Sequence, residues 1–132
     1  MSTIKSFTDI QQSRKLAEFL PLESADMLFQ LGEDKYADSI RVPLTKKHWE
    51  QMMPDINPCW SLAAMIEHLR KHNLFPEIKD ADDYILMDIT FYDEDEAVGK
   101  VINPVHFIRA EGKNILDACY EFVLKLHELN LL

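Results

Sequence analysis

The sequence predicts a single α+β domain, in which helices cover one side of an antiparallel sheet of about four strands. Three observations lead to this fold class. Apolar residues recur at helical spacing in three separate segments, residues 84–92 alternate strictly, and two segments have the alternation and turn residues of β-hairpins. The predicted order along residues 1–132 is therefore helix, hairpin, helix, hairpin, helix.

The first helix is predicted to begin at Thr8 and to end before Pro21. Thr8 and Gln11 fit a capping box, and Asp9 places a negative charge at the positive end of the helix. The apolar residues that follow have helical spacing: Ile10, Leu16, Phe19 and Leu20.

Residues 27–44 are predicted to form the first hairpin. A polar break at 32–35 separates an apolar run from a second segment, in which Ile40 and Val42 alternate with polar residues.

The central helix is predicted over residues 58–72. Asn57 is a favoured N-cap, and Pro58 fits the first helical position. The segment is apolar over most of its girth, which is typical of a buried helix, and Asn73 is suited to the left-handed conformation that ends one. Two large side chains are assigned to its core: Trp60 and Leu69.

The second hairpin is predicted to pair residues 84–92 with 101–109 through a long turn at 93–100. Pro104 places the second strand at an edge or a bulge, because proline cannot donate to a ladder. The last helix begins after Gly112 and Asn114. Its predicted buried face consists of Ile115, Ala118, Cys119, Phe122, Val123, Leu126 and Leu129.

The composition is that of one ordinary globular domain. Of 132 residues, 47 % are apolar and 28 % charged, and no apolar run approaches the ~20 residues that a membrane-spanning helix needs. The first fifteen residues lack the apolar core of a secretory signal. Both cysteines lie in apolar contexts, where free thiols are buried. We therefore expect a cytoplasmic protein that does not bind a membrane.

Nearly all of the net charge of −9 lies between Asp80 and Glu96, where eight carboxylates occur with no Lys or Arg. A patch of one sign steers oppositely charged partners and repels polyanions. Together with the sequence pI of about 4.9, this argues against nucleic acid as a direct partner. The candidate binding residues are Tyr84, Asp88, Tyr92, Asp93, Glu94, Asp95 and Glu96.

Two interpretations of these binding residues stay open. Tyr84 and Tyr92 flank Asp88 on the face away from the core, where aromatic rings among carboxylates resemble an interface for a basic or polar protein. Alternatively, this face packs under a loop or helix, and the acidic turn keeps the hairpin soluble.

A metal site is the fallback hypothesis. The candidate ligands are Glu67, His68 and His72, and the two imidazoles lie on one face of the predicted helix. In zinc proteases a glutamate directly follows the first histidine, whereas Glu67 precedes His68. Arg70 and Lys71 beside them oppose a cation. No cofactor is expected, and a polar edge of the helix is the preferred interpretation.

Cys59 is the candidate nucleophile, because a first helical turn lowers the pKa of a thiol. His48 is its base only if the fold brings the two together, and a packed core cysteine is the preferred interpretation.

Two segments resemble small uncharacterised proteins of phages and prophages of gut bacteria. They are the helix start P-C-W-S-L-A-A-M at residues 58–65 and N-I-L-D-A-C-Y at 114–120, supported by the triplet A-D-M at 25–27. The second segment departs from that group's D-A-x-E-M pattern after Cys119. The resemblance covers about half the chain and implies a compact α+β accessory protein of a mobile element. It supplies no catalytic residue.

The first hypothesis is therefore a non-enzymatic interaction module whose acidic hairpin binds a basic protein surface. One alternative is a small metal-dependent hydrolase that uses Glu67 and the central-helix histidines, or the carboxylates of the turn at 93–96 as ligands of calcium or magnesium. The other is a DNA mimic, in which the carboxylates imitate phosphates.

Overall fold

The computed structural model describes residues 5–29, 41–43, 58–95 and 100–132. The α+β class is confirmed in this part of the chain. Two compact units, Met1–His68 and Leu69–Leu132, divide the chain. The elements are α1 (Ile10–Ala17), a 3-10 turn (Leu22–Ser24), β1 (Met27–Phe29), β2 (Arg41–Pro43), β3 (Pro58–Cys59), α2 (Leu62–Lys71), β4 (Glu77–Asp80), β5 (Ile85–Asp95), β6 (Lys100–Gly112) and α3 (Ile115–Glu128).

The described strands pair in two antiparallel sheets of three, in the orders β2-β1-β3 and β4-β5-β6. Met27 lies opposite Pro43, in agreement with a hairpin over 27–44, although residues 30–40 lie outside the described part. The predicted sheet of about four strands differs from this arrangement. Each predicted hairpin is joined by one further short strand, β3 or β4, whose sequence has little strand-like pattern.

The cap of α1 is one residue later than predicted. The Asp9 carboxylate accepts from the Gln12 N–H (2.8 Å), and the Gln12 side chain accepts in return from the Asp9 N–H (3.1 Å). Thr8 is instead fully buried: its N–H donates to the Trp60 carbonyl, and its hydroxyl accepts from the Trp60 N–H (3.0 Å). Thr8 therefore ties the start of α1 to the residue that follows β3.

The predicted start of the central helix is wrong. Pro58 and Cys59 are extended and pair with β1, and α2 begins only at Leu62. Ser61 provides the cap, because its hydroxyl oxygen accepts from the Ala64 N–H (3.1 Å). The Asp26 carboxylate holds Ser61 in place by accepting from both its N–H (2.9 Å) and its hydroxyl. Asn57, the predicted cap, lies outside the described residues.

The α2 helix is buried along one face only, and not around most of its circumference as predicted. Met65 and Leu69 are buried, whereas Ala63 and Glu67 are exposed. The predicted core positions of Trp60 and Leu69 are confirmed, although Trp60 precedes the helix. Asn73 has the predicted left-handed conformation, with φ of 59°.

The second hairpin is longer than predicted. β5 pairs with β6 from Ile85 opposite Gly112 to Asp95 opposite Lys100, so the predicted turn at 93–100 is shorter. The ladder register shifts beside Pro104, which lies opposite Tyr92, and β6 is an edge strand of the described sheet. The predicted placement of Pro104 is therefore confirmed.

The core of the second unit lies between α3 and one face of the β4-β5-β6 sheet. The Asn114 side chain caps α3 by accepting from the Asp117 N–H (2.9 Å). Leu129, predicted on the buried face, is 56 % exposed because the helix ends at Glu128. The buried residues of this core include Met87, Ile108, Ala110, Leu116, Ala118, Cys119, Phe122, Val123 and Leu126.

None of the described helices combines the length and the apolar character needed to cross a membrane.

Candidate functional site

Asp88 lies on the sheet face opposite the one that packs against α3, at the centre of the predicted binding residues. It was expected to be available to a partner, and this is wrong: only 4 % of its side chain is exposed. Its Oδ2 lies 3.3 Å from Nζ of Lys79 and 3.4 Å from Nη2 of Arg109. The two cations of this chain therefore neutralise Asp88, and a basic partner has no access to its charge.

The strand register explains this cluster. Arg109 of β6 lies directly opposite Asp88, and Glu77 of β4 lies opposite it on the other side. Lys79 lies two residues along β4 from Glu77, on the same face of the sheet. The Arg109 guanidinium also lies 4.9 Å from the centroid of the Phe107 ring, a cation–π distance. Lys79 and Arg109 are both about half exposed, so water screens these pairs strongly.

A depression of about 250 Å³ lies on this sheet face beside the Asp88 cluster. Two exposed aromatic rings take part in its wall, Phe75 at 64 % and Phe107 at 54 % exposure. Exposed aromatics next to a neutralised ion cluster favour contact with another molecule over proton transfer. The full lining consists of Phe75, Glu77, Lys79, Asp88, Ile89, Thr90 and Phe107.

Four residues of this surface were not predicted from the sequence: Phe75, Lys79, Phe107 and Arg109. One signal was present: residues 107, 109 and 111 alternate with the apolar residues 108 and 110, which places them on the non-core face. Only the register of β6 against β5 shows that Arg109 faces Asp88.

The other carboxylates of the acidic segment lie in two groups. Asp80, Asp82 and Asp83 form the first, which we call the β4–β5 turn cluster; all three are exposed. Asp82 has a positive φ of 66°, and its N–H donates to the Asp80 carboxylate (3.1 Å). Tyr84, a predicted binding residue, follows this turn and is 42 % exposed.

The second group, Asp93–Glu96, we call the hairpin-tip cluster. The end of β5 includes the backbone of residues 92–95. The side chains of these four residues lie outside the described part, and so does the whole of Glu96. At ~3.3 Å per residue, the ten residues from Asp83 to Asp93 separate the clusters by roughly 30 Å. The Debye length is about 8 Å at physiological ionic strength, so the two clusters act independently.

This division bears on the DNA-mimic hypothesis. A mimic needs carboxylates at regular spacing along an extended surface, as phosphates have along a duplex. The acidic segment instead has a gap between Asp83 and Asp93 in which Asp88 is neutralised. No observation in the described residues favours the mimic.

The fallback metal residues lie along the C-terminal half of α2 and just beyond its end. Glu67 and His72 are exposed, and His68 is partly buried. Within the described ranges, no group of three or more His, Cys, Asp or Glu side chains is placed to hold a metal ion. The described structure therefore supplies no third ligand to the histidine pair.

The metal hypothesis has a direct test. An ion that binds selectively to the folded state raises the melting temperature by mass action. Because we expect no metal site, zinc, calcium and magnesium should leave the melting temperature of the wild type unchanged. The measurement is thermal unfolding with each ion in excess and with a chelator as reference. A reproducible rise that His68→Ala with His72→Ala abolishes, and that exposed Lys71→Ala retains, would contradict this expectation.

The cysteines are buried in the described structure. Cys59 is fully buried in β3, so the preferred interpretation as a core residue is confirmed, and no helix dipole acts on it because α2 begins three residues later. Burial raises the pKa of the Cys119 thiol to about 12, which keeps it protonated at neutral pH. His48, the proposed base, lies outside the described residues.

No family model, curated protein or solved structure matches this chain. The resemblance to phage and prophage proteins therefore stays a prediction. The function has to be argued from the charges and surfaces of the chain itself.

Proposed function

We propose that this chain is a non-enzymatic protein-binding module that binds a basic protein surface through the acidic end of the β5–β6 hairpin. The observation that carries the proposal is the charge distribution: eight carboxylates and no Lys or Arg between Asp80 and Glu96, on a chain that is otherwise nearly neutral. Such a concentration accelerates encounter with a basic surface and disfavours acidic ones.

The hairpin-tip cluster is the stronger of the two candidate contacts. It has four consecutive carboxylates, whereas the β4–β5 turn cluster has three, and Asp88 between them is already neutralised by Lys79 and Arg109. Four consecutive carboxylates give the hairpin-tip cluster the higher density of negative charge along the chain, which strengthens its attraction to a basic surface.

The surroundings of Asp88 support binding over catalysis. A carboxylate that acts as a general acid or base must reach its substrate and exchange a proton with it. Asp88 is instead buried, and its Oδ2 is occupied by ion pairs with Lys79 and Arg109. On the resemblance to phage proteins, we place this module in the bacterial cytoplasm as an accessory protein of a mobile element.

Neutralising the hairpin-tip cluster is expected to abolish most of the partner binding. In the variant Asp93→Asn, Glu94→Gln, Asp95→Asn, Glu96→Gln, the steering charge is lost while side-chain size is kept. Stability should stay equal or rise slightly, because like charges that repel one another are removed. The measurement is capture of proteins from host lysate at two ionic strengths, with identification by mass spectrometry. The loss should be largest at low salt, where exposed charges are least screened.

The β4–β5 turn cluster provides the matched control. In Asp80→Asn, Asp82→Asn, Asp83→Asn, asparagine suits the positive φ at residue 82 and can still accept at residue 80. This variant should retain the partners of the wild type. If the wild type and the hairpin-tip variant capture the same proteins at both salts, the proposal is wrong.

A further inference from the structure

The outer edge of β6 has a defined hydrogen-bonding direction. The Tyr84 carbonyl accepts from the Ala81 N–H (2.9 Å), which places the even-numbered backbone groups of β5 toward β4. The directions of the backbone N–H and C=O groups alternate along an antiparallel strand. Residues 85, 87 and 89 of β5 therefore form backbone hydrogen bonds with residues 112, 110 and 108 of β6. The N–H and C=O groups of residues 107, 109 and 111 therefore point away from β5.

A side-chain contact supports this direction independently. The Lys125 ammonium of α3 donates to the Arg109 carbonyl, so this carbonyl points outward from the sheet. No described strand pairs with β6 on that side. A lysine at a strand edge is a common protection against pairing with another chain.

The edge is accessible on the surface of the molecule. Phe107, Arg109, Glu111 and Lys125 are all exposed. A depression of about 340 Å³ lies beside the strand, so the end of α3 does not close this edge. Its lining consists of Phe107, Ile108, Arg109, Lys125, Glu128 and Leu129.

We propose that the outer edge of β6 pairs with the same edge of a second copy of this chain. The strands run antiparallel about a two-fold axis at Ala110, so that the two sheets join into one. Arg109 then lies opposite Glu111 of the second copy, and Glu111 opposite its Arg109. Once Lys125 releases the Arg109 carbonyl, each of these pairs exchanges two backbone hydrogen bonds, and each places opposite charges directly across from one another.

Charge complementarity selects this occupant and this register. The side chains of residues 109 and 111 share one sheet face, so both ion pairs form on the same side. A two-fold axis at Arg109 would instead place like charges opposite each other, which is unfavourable. The proposal goes beyond the binding of a basic partner, and it leaves the two hairpin-tip clusters free at opposite ends of the joined sheet.

Sedimentation velocity over a series of concentrations tests this dimer. The wild-type mass should rise from 15.4 kDa toward twice that value, and Glu111→Pro should stay at 15.4 kDa. Proline removes only the outward N–H of residue 111 and is tolerated on an edge strand, so the fold is kept. Circular dichroism of the variant checks this directly.

Two further variants identify the charges and the protecting lysine. Glu111→Arg places Arg opposite Arg and should prevent dimerisation, whereas Glu121→Arg, the same change at an exposed position of α3, should not. Lys125→Met frees the Arg109 carbonyl and should shift dimerisation to lower concentration. A constant mass of 15.4 kDa for the wild type and Lys125→Met overturns the proposal, as does a folded Glu111→Pro that dimerises like the wild type.

Discussion

Trp60→Ala is expected to lower the free energy of unfolding by about 3–5 kcal/mol, the cost typical of deleting a buried large aromatic side chain. Trp60 is fully buried, and its indole N–H donates to the Ser24 hydroxyl (2.9 Å). The truncation thus creates a cavity and removes a partly buried hydrogen bond. The measurement is urea unfolding followed by far-UV circular dichroism, since the change removes one of the two tryptophans.

Two control variants separate these contributions. Trp60→Phe keeps an aromatic ring but loses the indole N–H; the Ser24 hydroxyl keeps its bond to the Pro21 carbonyl, so a loss of only about 1–2 kcal/mol is expected. Phe75→Ala removes an aromatic that is 64 % exposed and should change stability by less than about 0.5 kcal/mol. An unchanged midpoint for Trp60→Ala would contradict the placement of Trp60 in the core.

The elements that the sequence predicts well are those whose signals are local. Asn114 bonds to a backbone N–H three residues later, and the apolar face of α3 repeats every three to four residues. Asn73 adopts the left-handed conformation for which its side chain is suited. The alternation over residues 84–92 predicts β5 because every second side chain enters the core. In each case the pattern that predicts the element lies within a short stretch of the sequence.

The start of α2 could not be predicted in the same way. Proline, whose φ is fixed near −65°, fits both the first position of a helix and an extended strand, because both conformations allow this φ. Pro58 and Cys59 are extended because they pair with β1, and Asp26 holds Ser61 at the cap. Both contacts join residues about thirty positions apart, which no local pattern records.

The strand β4 has no local signal. Ile78 is its one apolar residue and is 47 % exposed, so the segment buries little of its own side-chain surface. Pairing with β5 determines its conformation. The same long-range register determines the surroundings of Asp88. The alternation of residues 84–92 correctly places Asp88 away from the core face, but it cannot show that Lys79 and Arg109 lie beside it.

The strand register reduces the number of carboxylates that are available to a partner in the candidate site. With Asp88 neutralised, the acidic segment no longer behaves as one patch of eight charges but as two clusters separated by roughly 30 Å. A partner of ordinary size can contact one cluster without the other. The sequence shows the negative charge of the proposed binding surface, and the structure divides its carboxylates into two clusters that mutation can distinguish.

Gly112→Ala is expected to destabilise the second unit by about 3 kcal/mol or more, at the upper end of the range for overpacking. A Cβ at Gly112 would lie 2.7 Å from the carbonyl carbon of Asp117, 2.9 Å from Cα of Ala118, and closer still to the backbone nitrogen of Ala118. All three are backbone atoms in the first turn of α3. No side chain can rotate away, so the end of β6 or the start of α3 must move as a whole.

Urea unfolding of three variants tests this explanation. Lys113→Ala, at the exposed neighbouring position, should be nearly neutral. Adding Ala118→Gly to Gly112→Ala should not restore stability, because the clash involves the nitrogen and Cα of residue 118, which glycine retains. Full rescue by Ala118→Gly would show that side-chain crowding is responsible. Wild-type stability of Gly112→Ala would mean that β6 and α3 approach each other less closely than the structure describes.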